Sequence, residues 1–104
     1  MKDEIPFNDW SKERLAQNRK LCTSRHKRYT KDKRVQWISP KLPFWFIRTY
    51  LWEVEGANNP AELQMVVEQI YHRKVLDDEM FYVHFGKFNT KNQNKTKVRE
   101  NGKV

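Results

Sequence analysis

Hydrophobic residues recur at a helical spacing between residues 59 and 71. Apolar side chains lie three or four positions apart along this stretch and define one buried helix face: Leu63, Val66, Val67, Ile70 and Tyr71. Asn59 suits the N-cap, Pro60 suits the first helical position, and Glu62 stands where a capping box places a carboxylate. We therefore predict a helix that begins directly after Asn59.

A second helix is predicted over residues 44–55. It begins after Pro43, and Gly56 follows it in the position that glycine favours after a helix C-cap. The residues predicted to face the core recur at spacings of three and four: Phe46, Ile47, Tyr50, Leu51 and Val54.

A shorter helix is predicted near the start of the chain, over residues 8–18. Either Asn8 or Asp9 can serve as its N-cap, and Trp10 and Leu15 would face inward.

Alternation of apolar and polar positions predicts three strands: residues 20–25, residues 35–39 and residues 80–85. Pro40 is expected to end the second strand, because proline cannot donate to a sheet ladder. In the first strand, Lys20 and Thr23 fall on opposite faces, so both reach one cavity only where the strand twists or bulges. The order helix, strand, strand, helix, helix, strand predicts the α+β class.

Length and composition indicate one small domain. The chain has 104 residues and a single cysteine, Cys22, which excludes an internal disulfide and a multi-cysteine zinc site. His26, His72 and His84 lack metal-ligand spacing, so we predict no metal and no cofactor. No apolar run approaches the ~20 residues that a membrane span needs, and the first residues lack a secretory signal. We expect a cytoplasmic monomer without membrane association.

The net charge of +8 is concentrated in two segments. Residues 19–34 hold eight Lys and Arg residues against Asp32, and residues 89–104 hold five against Glu100. Such asymmetry favours a phosphate-binding surface, although a merely solvated basic loop is the alternative. We predict a folded domain over residues 1–88 and a basic, disordered tail over residues 89–104. The candidate nucleic-acid or ligand-binding residues are Arg19, Arg25, Lys27, Arg28, Tyr29, Lys33 and Arg34.

Glu55 stands in the last turn of the helix predicted over residues 44–55. A carboxylate there opposes the helix dipole at a cost of roughly 0.3–1 kcal/mol, and Glu53 adds a second such cost. A cation from the basic segment would cancel this cost. We therefore predict a pair between Glu55 and a lysine or arginine, with a solvated helix-end residue as the alternative.

Several segments together resemble ASCH domains, which are members of the PUA-like β-barrel superfamily. Residues 19–25 (RKLCTSR) and 26–29 (HKRY) resemble the family signature. The likeness continues in the same order through four more segments: residues 42–47 (LPFWFI), 50–56 (YLWEVEG), 60–63 (PAEL) and 81–85 (FYVHF). It covers about residues 7–88.

The resemblance implies a small PUA-like β-barrel with about three helices packed around it. ASCH domains are associated with RNA binding, and one similar branch hydrolyses the amide of N4-acylated cytidines with a threonine, a lysine and a glutamate. Those catalytic roles would fall on Thr23, Lys20 and Glu55. A desolvated lysine can take the proton of a threonine hydroxyl, and a glutamate can relay it to the leaving amine.

The chain departs from the family after the basic stretch. Members usually carry a Gly-Asp turn there that leads into an extra strand. Residues 30–33 (TKDK) occupy this place, and the first glycine of the chain is Gly56. We therefore expect a barrel that is one strand short or irregular on this side.

The aromatic residues and the cysteine have competing interpretations. Most of Trp37, Phe44, Trp45, Phe46 and Trp52 are expected in the core. Base stacking is the alternative, and Trp45 and Trp52 are expected on the outer face of their helix. Flanking cations would lower the pKa of the Cys22 thiol, yet no catalytic partner is evident, which favours a buried structural cysteine.

Three functions follow in order of preference. The first is binding of RNA, a nucleoside or a nucleotide in a basic cleft. The second is hydrolysis of an N4-acetylcytidine-type amide by Thr23, Lys20 and Glu55. The third is a protein-interaction module that uses Trp45 and Trp52.

Overall fold

A computed structural model describes residues 4–88 of the protein. Its elements follow in chain order: α1 (Asp9–Ala16), β1 (Cys22–Arg25), β2 (Val35–Pro43), α2 (Phe44–Tyr50), α3 (Pro60–Tyr71) and β3 (Met80–Gly86). The predicted α+β class and the predicted order of elements are confirmed. The tail predicted over residues 89–104 lies outside the described residues.

The three strands form one antiparallel sheet with β3 in the centre, in the order β1-β3-β2. Thr23 pairs with His84 across β1 and β3, and Lys41 pairs with Tyr82 across β2 and β3. Since β1 and β2 do not pair with each other, the sheet formed within residues 4–88 is open and not a closed barrel.

The second strand is longer than predicted, because it continues through Pro40 to Pro43. β2 is an edge strand, where a residue without an N–H does not interrupt the ladder. Its register shifts between Val35 and Trp37 and again between Ile38 and Lys41. Such bulges twist an edge strand, and Pro40 lies within the second one.

The helix predicted over residues 44–55 ends at Tyr50. A series of turns follows, in which the Glu55 N–H donates to the Leu51 carbonyl at 3.0 Å. Tyr50 is 64% exposed, so its predicted place in the core is wrong. Trp45 is exposed as predicted, whereas Trp52 lies beyond the helix and packs against the core. The predicted pairing of Trp45 and Trp52 on one helix face is therefore wrong.

The helix predicted after Asn59 is confirmed as α3. The Asn59 side chain accepts from the Glu62 N–H at 2.8 Å, as an N-cap does. The Glu62 carboxylate accepts from the Asn58 N–H and not from the Asn59 N–H, so the capping box is shifted by one residue. The buried residues of α3 join α2 and β3 in the main core: Phe44, Ile47, Leu63, Val67, Phe81 and Val83.

A smaller core cluster contains Ile5, Leu15 and Phe88. Beside it His84 is fully buried, although the alternation in β3 predicts a polar face at this position. Its Nε2 accepts from the Tyr29 N–H at 3.0 Å, which leaves Nδ1 as the protonated nitrogen of the neutral ring. Burial lowers the pKa of His84 from its ordinary value of 6.5.

None of the helices within residues 4–88 is long and apolar enough to cross a membrane.

Candidate functional site

A buried ion pair joins the segment before β1 to the turn after α2. Lys20 Nζ lies 2.9 Å from Glu55 Oε1 and also donates to the Glu55 carbonyl at 3.1 Å. Ser24 Oγ donates to the other carboxylate oxygen, Oε2, at 2.5 Å. The predicted pairing of Glu55 with a cation is confirmed. Its predicted cause is wrong, because α2 ends at Tyr50 and its last turn does not contain Glu55.

Main-chain packing brings the two segments together. The Leu21 N–H donates to the Val54 carbonyl at 2.7 Å. Gly56 adopts a φ of 98°, and a Cβ at Gly56 would lie only 3.2 Å from the Lys20 Cβ. A glycine therefore suits this close approach, and it adopts the left-handed conformation without steric cost.

Thr23 lies near the ion pair but takes part in a different hydrogen bond. Its hydroxyl accepts from Arg25 Nη1 at 2.7 Å, whereas the Lys20 amine contacts Glu55. Lys20 and Thr23 nevertheless line one cavity, because β1 begins at Cys22 and Lys20 is not bound by strand alternation. The structure thus brings the three candidate catalytic residues together without a direct Lys20–Thr23 hydrogen bond in the described part of the chain.

The cavity between these residues has a volume of about 10 Å³. This is close to the volume that one water molecule requires. Trp10 of α1 and Tyr71 of α3 form parts of its wall. A nucleoside can enter only if one of these wall elements moves.

Cys22 is fully buried in the main core. Burial is the main reason that the pKa of its thiol lies well above the ordinary value, and the charge of Glu55 raises it further. Lys20 lowers this pKa as expected of a flanking cation, but burial and Glu55 outweigh that effect, and the interpretation as a buried structural cysteine is confirmed.

Two of the predicted ligand-binding arginines form hydrogen bonds within the protein. Arg25 is 8% exposed and donates to the Pro6 carbonyl at 2.6 Å. Arg34 clamps the buried Asp32 through two hydrogen bonds, of 2.9 and 2.6 Å, and reaches the Ile5 carbonyl at 3.0 Å. Burial alone would raise the pKa of Asp32, but the bonds from Arg34 and the Ile5 N–H lower it to about 2.

The remaining predicted ligand-binding residues divide between a half-buried tyrosine and exposed cations. The Tyr29 ring packs edge-on against His84, with ring centroids 5.7 Å apart. Lys27 Nζ lies 4.9 Å from the centroid of the Tyr29 ring, a cation–π contact. The exposed members of the predicted set are Arg19, Lys27, Arg28 and Lys33. Only part of the predicted ligand-binding set is therefore exposed to solvent.

Arg28 lies beside aromatic side chains of β2 and β3 at two places, and we name these residues together the Arg28 surface. It comprises Arg28, Trp37, Lys41 and Tyr82. Arg28 Cζ and Lys41 Nζ each lie 5.8 Å from the centroid of the Tyr82 ring. Arg28 and Trp37 also line a shallow groove of about 340 Å³. Trp37 is 56% exposed, and its ring centroid lies 5.4 Å from that of Phe85.

Lys41 and Tyr82 are missing from the residues predicted to bind a ligand, and Trp37 is considered for base stacking only as an alternative to a place in the core. The prediction that placed Trp37 in the core is wrong. A proline within the strand is the sequence signal that could have indicated an edge strand, whose side chains are more often exposed.

The chain matches no protein-family model, and comparisons with curated proteins and with solved structures find no significant match either.

Proposed function

We propose that the protein binds single-stranded RNA or a nucleotide through the Arg28 surface. The observation that carries this proposal is the exposed indole of Trp37 at a groove that Arg28 also lines. Stacking of a base on an aromatic side chain contributes about 1–3 kcal/mol and tolerates any base. The adjacent guanidinium can contact the phosphate of the stacked nucleotide.

The charge distribution supports the same proposal. Lys27, Lys31 and Lys33 are exposed in the connection between β1 and β2 that also carries Arg28. With a net charge of +8, the chain attracts a polyanion over a long range. The preference for RNA over DNA rests on the resemblance to ASCH domains.

A PUA-like fold is part of this proposal. The antiparallel sheet with α2 and α3 packed on it supports the assignment, as does the retained order of the ASCH-like segments.

Binding of a short, fluorescently labelled single-stranded RNA, followed by polarisation, tests the proposal. We expect Trp37→Ala to weaken binding about tenfold, the equivalent of 1.4 kcal/mol and within the range of one stacked base. Trp45→Ala is the matched control, because Trp45 is an exposed tryptophan on α2. The proposal fails if the wild type does not bind or if both variants bind as the wild type does.

Amide hydrolysis is the second candidate function, and one observation favours it. Lys20, Thr23 and Glu55 line the same cavity, so a substrate that entered it would meet all three. Release of cytidine from N4-acetylcytidine, measured chromatographically, tests this function. We expect activity to be lost in Thr23→Ala and retained in part in Thr23→Ser, which keeps a hydroxyl nucleophile. A wild type without activity would reject the enzyme while leaving the RNA-binding proposal intact.

A further inference from the structure

Arg25 is a buried cation that forms no salt bridge in the described part of the chain, although the more distant Glu55 carboxylate still interacts with its charge. Four charged side chains are buried between residues 4 and 88: Lys20, Arg25, Asp32 and Glu55. Lys20 pairs with Glu55, and Asp32 pairs with Arg34. The hydrogen bonds of Arg25 instead reach neutral oxygens: the Thr23 hydroxyl, the Ser24 carbonyl and the Pro6 carbonyl.

The guanidinium keeps hydrogen-bonding capacity beyond these contacts. It has five N–H groups, and its bonds use Nη1 and Nη2 but not Nε. The Phe7 ring centroid lies 5.5 Å from Arg25 Cζ and offsets part of the charge by a cation–π contact. Because buried charges are generally paired, and Glu55 is already bound by Lys20 and Ser24, an added anion would complement the Arg25 charge.

Arg25 also lines a solvent-accessible pocket of about 370 Å³ beside the start of α1. We name it the Arg25 pocket, and its lining residues are Pro6, Phe7, Asn8, Arg25, Gln69, Ile70 and His72. The lining contains amides, an imidazole and a guanidinium but no carboxylate. Phe7 and Ile70 add apolar walls next to the cation.

We propose that the Arg25 pocket binds a small molecule that carries a carboxylate or phosphate group on an apolar body. The oxyanion pairs with the free edge of the Arg25 guanidinium, which suits the fork geometry of such groups. The apolar body packs against Phe7 and Ile70. This site shares no residue with the Arg28 surface, so it is independent of the proposed RNA binding.

Titration of the full-length protein with benzoate, phenyl phosphate and uncharged benzyl alcohol tests the site. Calorimetry reports affinity, and the NMR signal of the Arg25 Nε–H reports contact with the anion. We expect saturable binding of at least one anion, a shift of the Nε–H signal, and no saturable binding of benzyl alcohol. The anion that binds with the higher affinity identifies the ligand group as a carboxylate or a phosphate ester.

Two variants test whether the anion binds in the Arg25 pocket. Gln69→Glu adds a carboxylate to the lining of the Arg25 pocket and should weaken anion binding about tenfold, because it competes for the cation. Gln17→Glu is the matched control, since it makes the same change at the exposed C-cap of α1. Both glutamines are exposed, so both variants should fold. The proposal is overturned if neither anion binds saturably, if benzyl alcohol binds equally well, or if Gln69→Glu binds as Gln17→Glu does.

Discussion

Lys20 and Glu55 are 35 residues apart in the chain and form an ion pair, 2.9 Å between Nζ and Oε1, in which both side chains are only 3% exposed. Neither charge has access to bulk water, so each is stabilised by the other and by neighbouring polar groups. Ser24 and the Glu55 carbonyl supply those groups. The pair thus links the entry of β1 to the turn after α2.

Removal of one member of this pair should destabilise the fold strongly. Lys20→Met leaves the Glu55 carboxylate buried and unpaired, and Glu55→Gln leaves the Lys20 ammonium in the same position. We expect each single variant to lose about 3–5 kcal/mol of unfolding free energy. Urea denaturation measures the loss.

The double variant Lys20→Met/Glu55→Gln distinguishes pairing from simple packing. It should lose much less than the sum of the two single losses, because no uncompensated charge remains. Lys12→Met is the control, since Lys12 is exposed on α1. Additive losses would show that the two residues do not stabilise each other.

The ion pair between Asp32 and Arg34 should make the free energy of unfolding depend on pH in the acidic range. The pKa of Asp32 is lowered from 3.8 to about 2, so its contribution is present above pH 4 and is lost as the pH falls toward 2. The shift corresponds to about 2 kcal/mol. We expect Asp32→Asn to be less stable at pH 7 and to show a shallower loss between pH 4 and pH 2. An unchanged acid profile of unfolding in this variant would refute the assignment.

His84 should make stability depend on pH in a higher range. Burial lowers its pKa below 6.5, so the unfolded chain binds the proton first. Stability is therefore complete above about pH 6.5 and declines as the pH falls through the pKa of the folded state. Thermal unfolding between pH 7.5 and pH 5 measures this decline, which should be smaller in His84→Gln. Equal declines in both proteins would assign the dependence to other groups.

Gly56→Ala should destabilise the region around Glu55. The residue has a φ of 98°, and a Cβ would lie 3.1 Å from the Arg14 Cβ and 3.2 Å from the Lys20 Cβ. Strain in the left-handed region and these contacts together should cost about 1–3 kcal/mol. Gly56→Asn is the comparison, since asparagine tolerates this conformation better than alanine. Wild-type stability for Gly56→Ala would contradict the close approach.

The sequence predicts the regular elements well where capping and periodicity agree, as in α3. It fails for α2 because Tyr50, Leu51 and Val54 continue the helical spacing while the chain already turns. This local pattern does not reveal that Glu55 lies beyond the end of the helix, where it pairs with Lys20. The length of the strand that begins at Val35 is underestimated. Only the sheet order shows that β2 is an edge strand, in which Pro40 is tolerated.

The candidate site is predicted in part. A search for a cation near Glu55 leads to the correct ion pair, although the reason is the tertiary approach of Lys20 and not the helix dipole. The sequence does not distinguish Arg25 and Arg34, which form hydrogen bonds within the protein, from Arg28, which is exposed to solvent. Their positions depend on long-range contacts with Pro6 and Ile5, and a charge pattern does not contain that information.

The Arg28 surface is tested most directly by the salt dependence of RNA affinity. For a single strand, each cation that neutralises a phosphate contributes about 0.7 to the slope of log affinity against log salt concentration. We predict a steep decline for the wild type, a slope reduced by about 0.7 in Arg28→Gln, and an unchanged slope in the control Lys12→Gln. Equal slopes for Arg28→Gln and the wild type, or affinity independent of salt, would contradict phosphate binding at this surface.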